Sequence, residues 1–367
     1  MYKVRFVGYS RQYQEMRSEF DAVFREVMSG GDFIMRKHLK EFEKDIASYV
    51  GTKYAIGVNS GTDALYLLAD ALGFGAGDEV ITVAHTFVAT VGAIVQCGAK
   101  PVLIDIDDDF NMDVNLIEAA ITPKTKGIIP VHLNGHPCNM AKIMQLATKH
   151  NLIIIEDAAQ ALGAKFKNKM VGSFGRAGIF SFYPAKMLGA PGDGGMVVTD
   201  DAHLARKVKA LRDNGRVDSS DVIECFGYCS RLDNLHAAIL KMKFKHFSQW
   251  LSRRRGIAKM YEQGLKDAKD IILPPNKGKD FFDVYQNYVI RCQRRDELVK
   301  HLRDSGVEVL VSWAKPMHHQ KALHLDHFHL PLTEKISDEV VSLPMYPELT
   351  DKDVRYVTDC IYKFYAN

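Results

Sequence analysis

Short apolar runs separated by amphipathic stretches set the pattern of this chain. Tyr54-Ala55-Ile56-Gly57-Val58, Glu79-Val80-Ile81-Thr82-Val83, Pro101 to Ile106, Thr125 to Val131, Leu152 to Ile155 and Gly178 to Tyr183 are each too short for a buried helix and rich in β-branched or aromatic residues. They are predicted as strands. After the first of them, Ala64, Leu65, Leu67 and Leu68 fall at helical spacing. Strand-like runs alternating with helical stretches, at intervals of roughly 20 to 30 residues, predict an α/β fold with a mostly parallel sheet sandwiched by helices.

Upstream, helices are predicted over 18–28 and 40–50, the second marked by Phe42, Ile46 and Tyr49 at i, i+4 and i+7. Ser29-Gly30-Gly31-Asp32 reads as the connection between them. Downstream, one long helix from Leu232 to Leu251 is expected to carry the chain out of a large unit. Pro274-Pro275, the strand-like Asn287 to Ile290 and a helix over Arg295 to Asp304 then form a smaller α+β unit. The expected division is 1–245 and 246–367, and a chain of 367 residues with 47% apolar content can bury both cores.

Charge narrows the partners. With 48 basic and 45 acidic residues interspersed, the net charge is +3, and neither a nucleic-acid nor a membrane footprint stands out. The basic stretch from Lys241 to Arg255 carries Met242, Phe244, Phe247 and Leu251 at near-helical spacing, which predicts a helix with one packed face. The amino terminus, MYKVRFVGYSRQYQEM, lacks the apolar core of a signal peptide and no apolar run reaches spanning length, so a cytoplasmic location is expected. Six scattered cysteines suggest reduced thiols. Cys225 and Cys229 lack a second pair and His318-His319 lacks a third ligand, so no metal is expected.

The chemistry concentrates between Ile153 and Asp200. One strand ends in Glu156-Asp157, and Lys186 follows the strand at Gly178 to Tyr183, ahead of Gly189, Gly192, Gly194 and Gly195. An amine that can lose its proton, a strand-end carboxylate and the hydroxyl of Ser181 suit a cofactor held as a Schiff base on lysine, which pyridoxal 5′-phosphate satisfies. Asn59-Ser60-Gly61-Thr62 turns from a strand into a helix, where first-turn amides suit a phosphate. Ser60 or Thr62 as a plain helix cap explains the same residues. Phe87, just after a strand, suits either the core or the face of a pyridine ring.

IEDAAQ, SFYPAK and GDGG, together with SGTDAL, resemble the DegT-type (DegT/DnrJ/StrS) sugar aminotransferases, a branch of the aspartate-aminotransferase fold (fold type I), from about Phe33 to the carboxy terminus. The resemblance implies that Lys186 carries the cofactor and Asp157 lies beneath its pyridine nitrogen. It further implies that Gln160 bonds the phenolic oxygen, Phe87 stacks on the ring, and Gly61, Thr62 and Ser181 hold the phosphate. Tyr183, Asp193 and His318 are the implied substrate contacts. The implied reaction moves an amino group from L-glutamate to a nucleotide-linked keto sugar for surface-polysaccharide or other amino-sugar biosynthesis. The FYPAK…GDGG pattern favours a 3-keto over a 4-keto sugar. Gly227-Tyr228-Cys229-Ser230-Arg231 resembles a family loop that crosses a C2 dimer interface to the neighbouring phosphate, with Cys229 at an asparagine position and Ser230 or a backbone N–H as the substitute donor. Met35-Arg36-Lys37 and Ser312-Trp313-Ala314 also depart from the family pattern, the first towards a more basic mouth. Another pyridoxal enzyme, of lyase or dehydratase type, and a non-catalytic sensory member of the fold are the alternative readings. Lys186 speaks against a dehydratase, since sugar-dehydrating members carry histidine at that position.

Overall fold

The computed structural model describes residues 2–217 and 221–366. Helices α1 (Tyr9–Gly30) and α2 (Lys37–Val50) come first, the latter burying Leu39, Phe42, Ile46 and Val50 along one stripe. The alternating region follows: β1 (Tyr54–Val58), α3 (Gly61–Ala71), β2 (Glu79–Val83), α4 (Val88–Gln96), β3 (Lys100–Ile104), β4 (Thr125–Ile128), α5 (Met140–His150) and β5 (Ile153–Asp157). A small hairpin, β6 (Lys165–Phe166) and β7 (Lys169–Met170), precedes β8 (Ala177–Ser181), β9 (Gly195–Thr199) and α6 (Ala202–Arg212). The remainder holds α7 (Asn234–Phe244), α8 (Phe247–Leu265), β10 (Phe281–Phe282), β11 (Tyr288–Arg291), α9 (Arg295–Asp304), α10 (Pro331–Glu339), β12 (Val340–Leu343) and α11 (Asp351–Ala366).

Seven strands form the central sheet in the order β1-β9-β8-β5-β4-β2-β3. Only β9 runs antiparallel to its neighbours. The carboxyl ends of β1, β2, β4, β5 and β8 therefore share one edge, and the start of β9 joins them there. Both faces are covered, as in parallel sheets generally. Phe180, Met196 and Val198 pack with Phe42, Leu240 and Phe247, whereas Ile179 and Val197 pack with Leu65, Leu68 and Val208. Adjacent residues of one strand thus serve opposite cores.

The strand expectations hold with shifts of a few residues at the ends. Two helical expectations change. Helix α1 begins at Tyr9 instead of near 18, because its first turns are polar and are fixed from outside: Arg11 donates to the Glu348 carbonyl and Gln12 to the Glu348 carboxylate. The long helix expected over 232–251 is two helices, α7 and α8, with the break at Lys245-His246. No Gly or Pro marks that break. His246 is held there by Glu19 at 3.0 Å and by stacking on Trp250, contacts from distant or local side chains that apolar periodicity does not report.

The carboxy-terminal core collects Tyr261, Leu298, Leu302, Val341, Leu343, Val357 and Ile361 around the antiparallel pair β11 and β12. Val4 packs into the same core and pairs with Val307, so the start of the chain belongs with its end. The described cysteines are free thiols. Among the described residues no helix is long and apolar enough to cross a membrane.

One buried carboxylate fixes the sheet where the site is built. Glu156 is fully buried and accepts hydrogen bonds from the amides of Gly172, Phe174 and Gly175 at 2.7, 2.6 and 2.8 Å. His132 supplies a fourth contact at 3.1 Å. Since Nδ1 of His132 accepts from the Cys138 amide, Nε2 carries the proton and donates to Glu156. The loop entering β8 is thereby fastened to β5.

Candidate active site

The shared strand edge encloses a cavity of about 490 Å³, a volume in the range of small-molecule sites. Ser60, Gly61 and Thr62 reach it from the end of β1, Thr86 and Phe87 from β2, Val131 and Leu133 from beyond β4, Asp157 from β5, and Ser181, Tyr183 and Lys186 from β8. Ligand sites outside the carboxyl ends of parallel strands are the general rule for such sheets.

Lys186 sits on a tight turn after β8, its amide donating to the Tyr183 carbonyl at 2.8 Å. The carbonyl of Ala185 is braced by Gln286 Nε2 at 2.7 Å. Its Nζ lines the cavity without a hydrogen bond or ion pair among the described residues. Burial pulls the amine down from its ordinary value to about 8, against the opposing pull of the Asp157 charge. About a tenth of such an amine is free base at pH 7, far more than for an ordinary lysine.

Asp157 is 5% exposed. Oδ2 accepts from Thr90 Oγ1 at 2.8 Å, and Oδ1 from the Ala159 amide at 3.2 Å. Thr90 is itself held by Thr86, hydroxyl to hydroxyl at 2.8 Å. Burial raises the Asp157 carboxyl, and these hydrogen bonds pull the other way. The carboxylate is fixed in direction yet short of positive charge. Gln160 is fixed as well: its Oε1 accepts from the Asn134 amide at 2.7 Å, which leaves the side-chain NH₂ as the donor this residue can offer the cavity.

At the start of α3, Ser60 is the helix cap and accepts from the Asp63 amide at 3.0 Å. The cap reading of Ser60 and the phosphate reading of Gly61 and Thr62 are compatible, because the cap uses one first-turn amide and the amides of Gly61 and Thr62 have no intrahelical acceptor. Close packing makes glycine necessary here. A Cβ on Gly61 would lie 2.9 Å from Ser181 Cβ, and one on Gly195 would lie 2.2 Å from the Ser60 carbonyl oxygen. Small residues thus bring the Ser181 hydroxyl up to the α3 amides.

Phe87 is not core: it is 53% exposed, lines the cavity and meets Trp313 edge-on at 6.0 Å. Trp313 and Thr90 are the residues that sequence reasoning passed over. His318 is the residue of this segment implied to touch substrate, but the structure brings Trp313 to the cavity instead. His318 is 1% exposed, is not among the cavity-lining residues, and sits with Nε2 3.1 Å from Glu334. As a substrate contact it is corrected. Tyr183 and Asp193 do line the cavity, both as exposed residues at its mouth.

Cys229 is exposed and lies outside the cavity of its own chain, accepting from the Arg231 guanidinium at 3.2 Å. Ser230 is buried and donates to Asp63 at 2.6 Å within the same chain, so it is not a free donor for a neighbour. Arg36 and Lys37 pair with Asp32 and Glu41 at 3.5 and 3.9 Å rather than lining the cavity.

The electrostatics of Lys186 are testable without any ligand. Labelling by trinitrobenzenesulfonate, followed at the Lys186 peptide by mass mapping, should rise with pH about a midpoint near 8. In Asp157→Asn the stabilising anion is gone, so the amine loses its proton more readily and the midpoint should move down. A midpoint near the ordinary lysine value, or an upward move in the variant, contradicts the assigned pair.

A model of the DegT/DnrJ/EryC1/StrS aminotransferase family matches residues 14–362. The chain is 43% identical to the pleiotropic regulatory protein of Geobacillus stearothermophilus, covering 99% of each. It is 40% identical to UDP-N-acetyl-3-dehydro-α-D-glucosamine 3-aminotransferase of Acidithiobacillus ferrooxidans, covering 98% of this chain and 97% of that one. The crystal structure of S. venezuelae DesV in complex with a ketimine intermediate superposes with a TM-score of 0.96 at 38% identity, over 100% of both chains. With a matching family model over nearly its whole length and a cavity built at the shared strand edge, this chain belongs to the DegT/DnrJ/EryC1/StrS aminotransferase family.

Proposed function

We propose that this protein is a pyridoxal-phosphate-dependent aminotransferase that moves an amino group from L-glutamate to a nucleotide-linked 3-keto sugar. The observation that carries the reading is one cavity holding an unbonded lysine amine, a buried carboxylate lacking a fixed cation, and helix amides beside a serine hydroxyl. Each of these matches one part of the cofactor: aldehyde, pyridine nitrogen and phosphate. The relative from Acidithiobacillus, whose name specifies a 3-dehydro sugar, supports the choice of carbon.

When bound, the cofactor supplies an electron sink for the carbon that gains or loses the amino group. The chain's own residues do the rest. Asp157, aimed by Thr90 and the Ala159 amide, favours a protonated nitrogen placed against it, because an adjacent opposite charge stabilises the charged form. Gln160 offers its NH₂ to an oxygen on the ring. Phe87 presents a flat apolar face, and Gly61, Thr62 and Ser181 form the phosphate cradle. Lys186 Nζ, whose pKa is about 8, can bind a carbonyl carbon and, once released, take up and return a proton at the reacting carbon. The regulatory name of the Geobacillus relative is the observation behind a sensory reading. Lys186 and Asp157 in one cavity favour catalysis over it.

Incubation with L-glutamate and a panel of UDP- and dTDP-linked 3-keto and 4-keto hexoses, followed by mass spectrometry, tests the proposal. Amino sugar and 2-oxoglutarate should form in equal amounts, fastest with a 3-keto sugar. Failure to aminate any member of the panel contradicts the activity, and preference for a 4-keto sugar contradicts the assigned carbon.

We infer further that each site is completed by a second subunit. Ile223, Phe226 and Tyr228 are 57%, 102% and 55% exposed, an apolar stretch leading directly to Cys229. Exposed apolar patches of this kind mark protein contacts, and a C2 pairing makes the exchange reciprocal. Because Ser230 is tied to Asp63, the loop's donor to a neighbouring phosphate is a backbone N–H or the weak Cys229 thiol. Mixing a Lys186→Ala subunit with one whose residues 227–231 are replaced by an inert sequence should restore one working site per heterodimer. Heterodimers that form and stay inactive contradict sharing.

A further inference from the structure

The adjacent histidines that the sequence leaves short of a third ligand acquire one in the fold. His318 and His319 end a single 3₁₀ turn, Met317–His319, and Glu334 projects from the first turns of α10. His318 Nε2 lies 3.1 Å and His319 Nε2 3.8 Å from the same oxygen, Glu334 Oε1. One ligand atom from each of the three side chains lies within 4.8 Å of the other two. Two ligands bound to a tetrahedral zinc at ~2.0–2.1 Å are separated by about 3.3 Å, close to the 3.1 and 3.8 Å that separate the two imidazoles from Glu334 Oε1. At 3.8 Å His319 is too far from the carboxylate for a hydrogen bond and meets it only as an ion-pair partner when protonated.

Two further features favour a cation. A third imidazole, His329, places Nδ1 3.6 Å from Glu334 Oε1 while remaining largely exposed, at the open side of the cluster. Also, His318 Nδ1 is buried without a hydrogen-bond partner. Without an ion Nε2 donates its proton to Glu334; an arriving ion displaces that proton, the ring then keeping its proton on Nδ1 and turning the Nε2 lone pair to the metal. Nitrogen and carboxylate ligands of this kind select the zinc class of divalent ions over magnesium or calcium.

We propose that His318, His319 and Glu334 form a binding site for one divalent transition ion of the zinc class, with its fourth position facing solvent beside His329. The ion joins the turn at 317–319 to α10. That turn is already tied to the end of β2 by the Met317 amide donating to the Ala84 carbonyl, and α10 to Asp105 through Leu332 and Thr333. Binding would fasten the carboxyl end of the loop that brings Trp313 to the cavity.

The test uses the untagged full-length protein, stripped with EDTA and dialysed. Titration with zinc chloride in excess magnesium, read by calorimetry, should show one site per chain. His319→Ala, a change at a half-exposed ring, should keep the wild-type circular dichroism and weaken zinc binding by roughly tenfold or more, in line with losses from disturbed metal sites. Glu334→Gln should do the same. Absence of a stoichiometric zinc site overturns the proposal. So does unchanged affinity in a folded His319→Ala protein, which would place the ion elsewhere, for instance at the cysteines.

Discussion

The buried carboxylate of Glu156 is the interaction on which the geometry of the site depends. It sits between β5 and the loop leading into β8, taking three amides and one imidazole donor. Hydrogen bonds to charged groups contribute about 1.5–3 kcal/mol each, and leaving such partners unsatisfied in the interior costs a similar amount. Asp157 hangs on the strand Glu156 anchors, and Lys186 on the continuation of the strand that its loop enters. Neighbouring residues on a strand point to opposite sides. One carboxylate of the Glu156-Asp157 pair therefore holds the scaffold, and the other is left to the cavity.

The cavity itself keeps charge poorly compensated. Burial destabilises the ionised form of both Lys186 and Asp157, and each offsets part of the other's penalty. The protein adds hydroxyl and amide donors to Asp157 but, among the described residues, gives the Lys186 amine no hydrogen bond. This asymmetry fixes the acid and leaves the base mobile and nucleophilic, the division that amine transfer through a lysine requires. Two tight backbone approaches, at Gly61 and Gly195, bring the serine hydroxyl and helix amides to the other end of the same space.

Much of this was legible in the chain. The central strands announced themselves as short apolar runs, because a sheet buried on both faces needs apolar side chains on both. Lys186, Asp157, Phe87 and the Ser60–Thr62 turn could be placed because each stands at or beyond the end of a strand, and parallel strands bring their ends together; Gln160 came from the family resemblance alone. What sequence reading missed depends on contacts between distant segments. Thr90 matters only because α4 returns over β5, and Trp313 only because its loop folds back over β2. The break between α7 and α8 is set in part by Glu19. His318 was misplaced because motif likeness carries a residue type, whereas its partner Glu334 and its burial come from the packing of α10.

The central claim is that Lys186 is the lysine that carries the cofactor. A second lysine, Lys243, also has its pKa lowered by burial to about 8, but its Nζ is bonded to the Gly189 carbonyl. Borohydride reduction of the cofactor-loaded protein, followed by peptide mass mapping, separates the two. The account predicts the pyridoxyl mass on the peptide containing Lys186 and its absence from a Lys186→Ala protein; the same mass on Lys243, or on any other lysine, would contradict it.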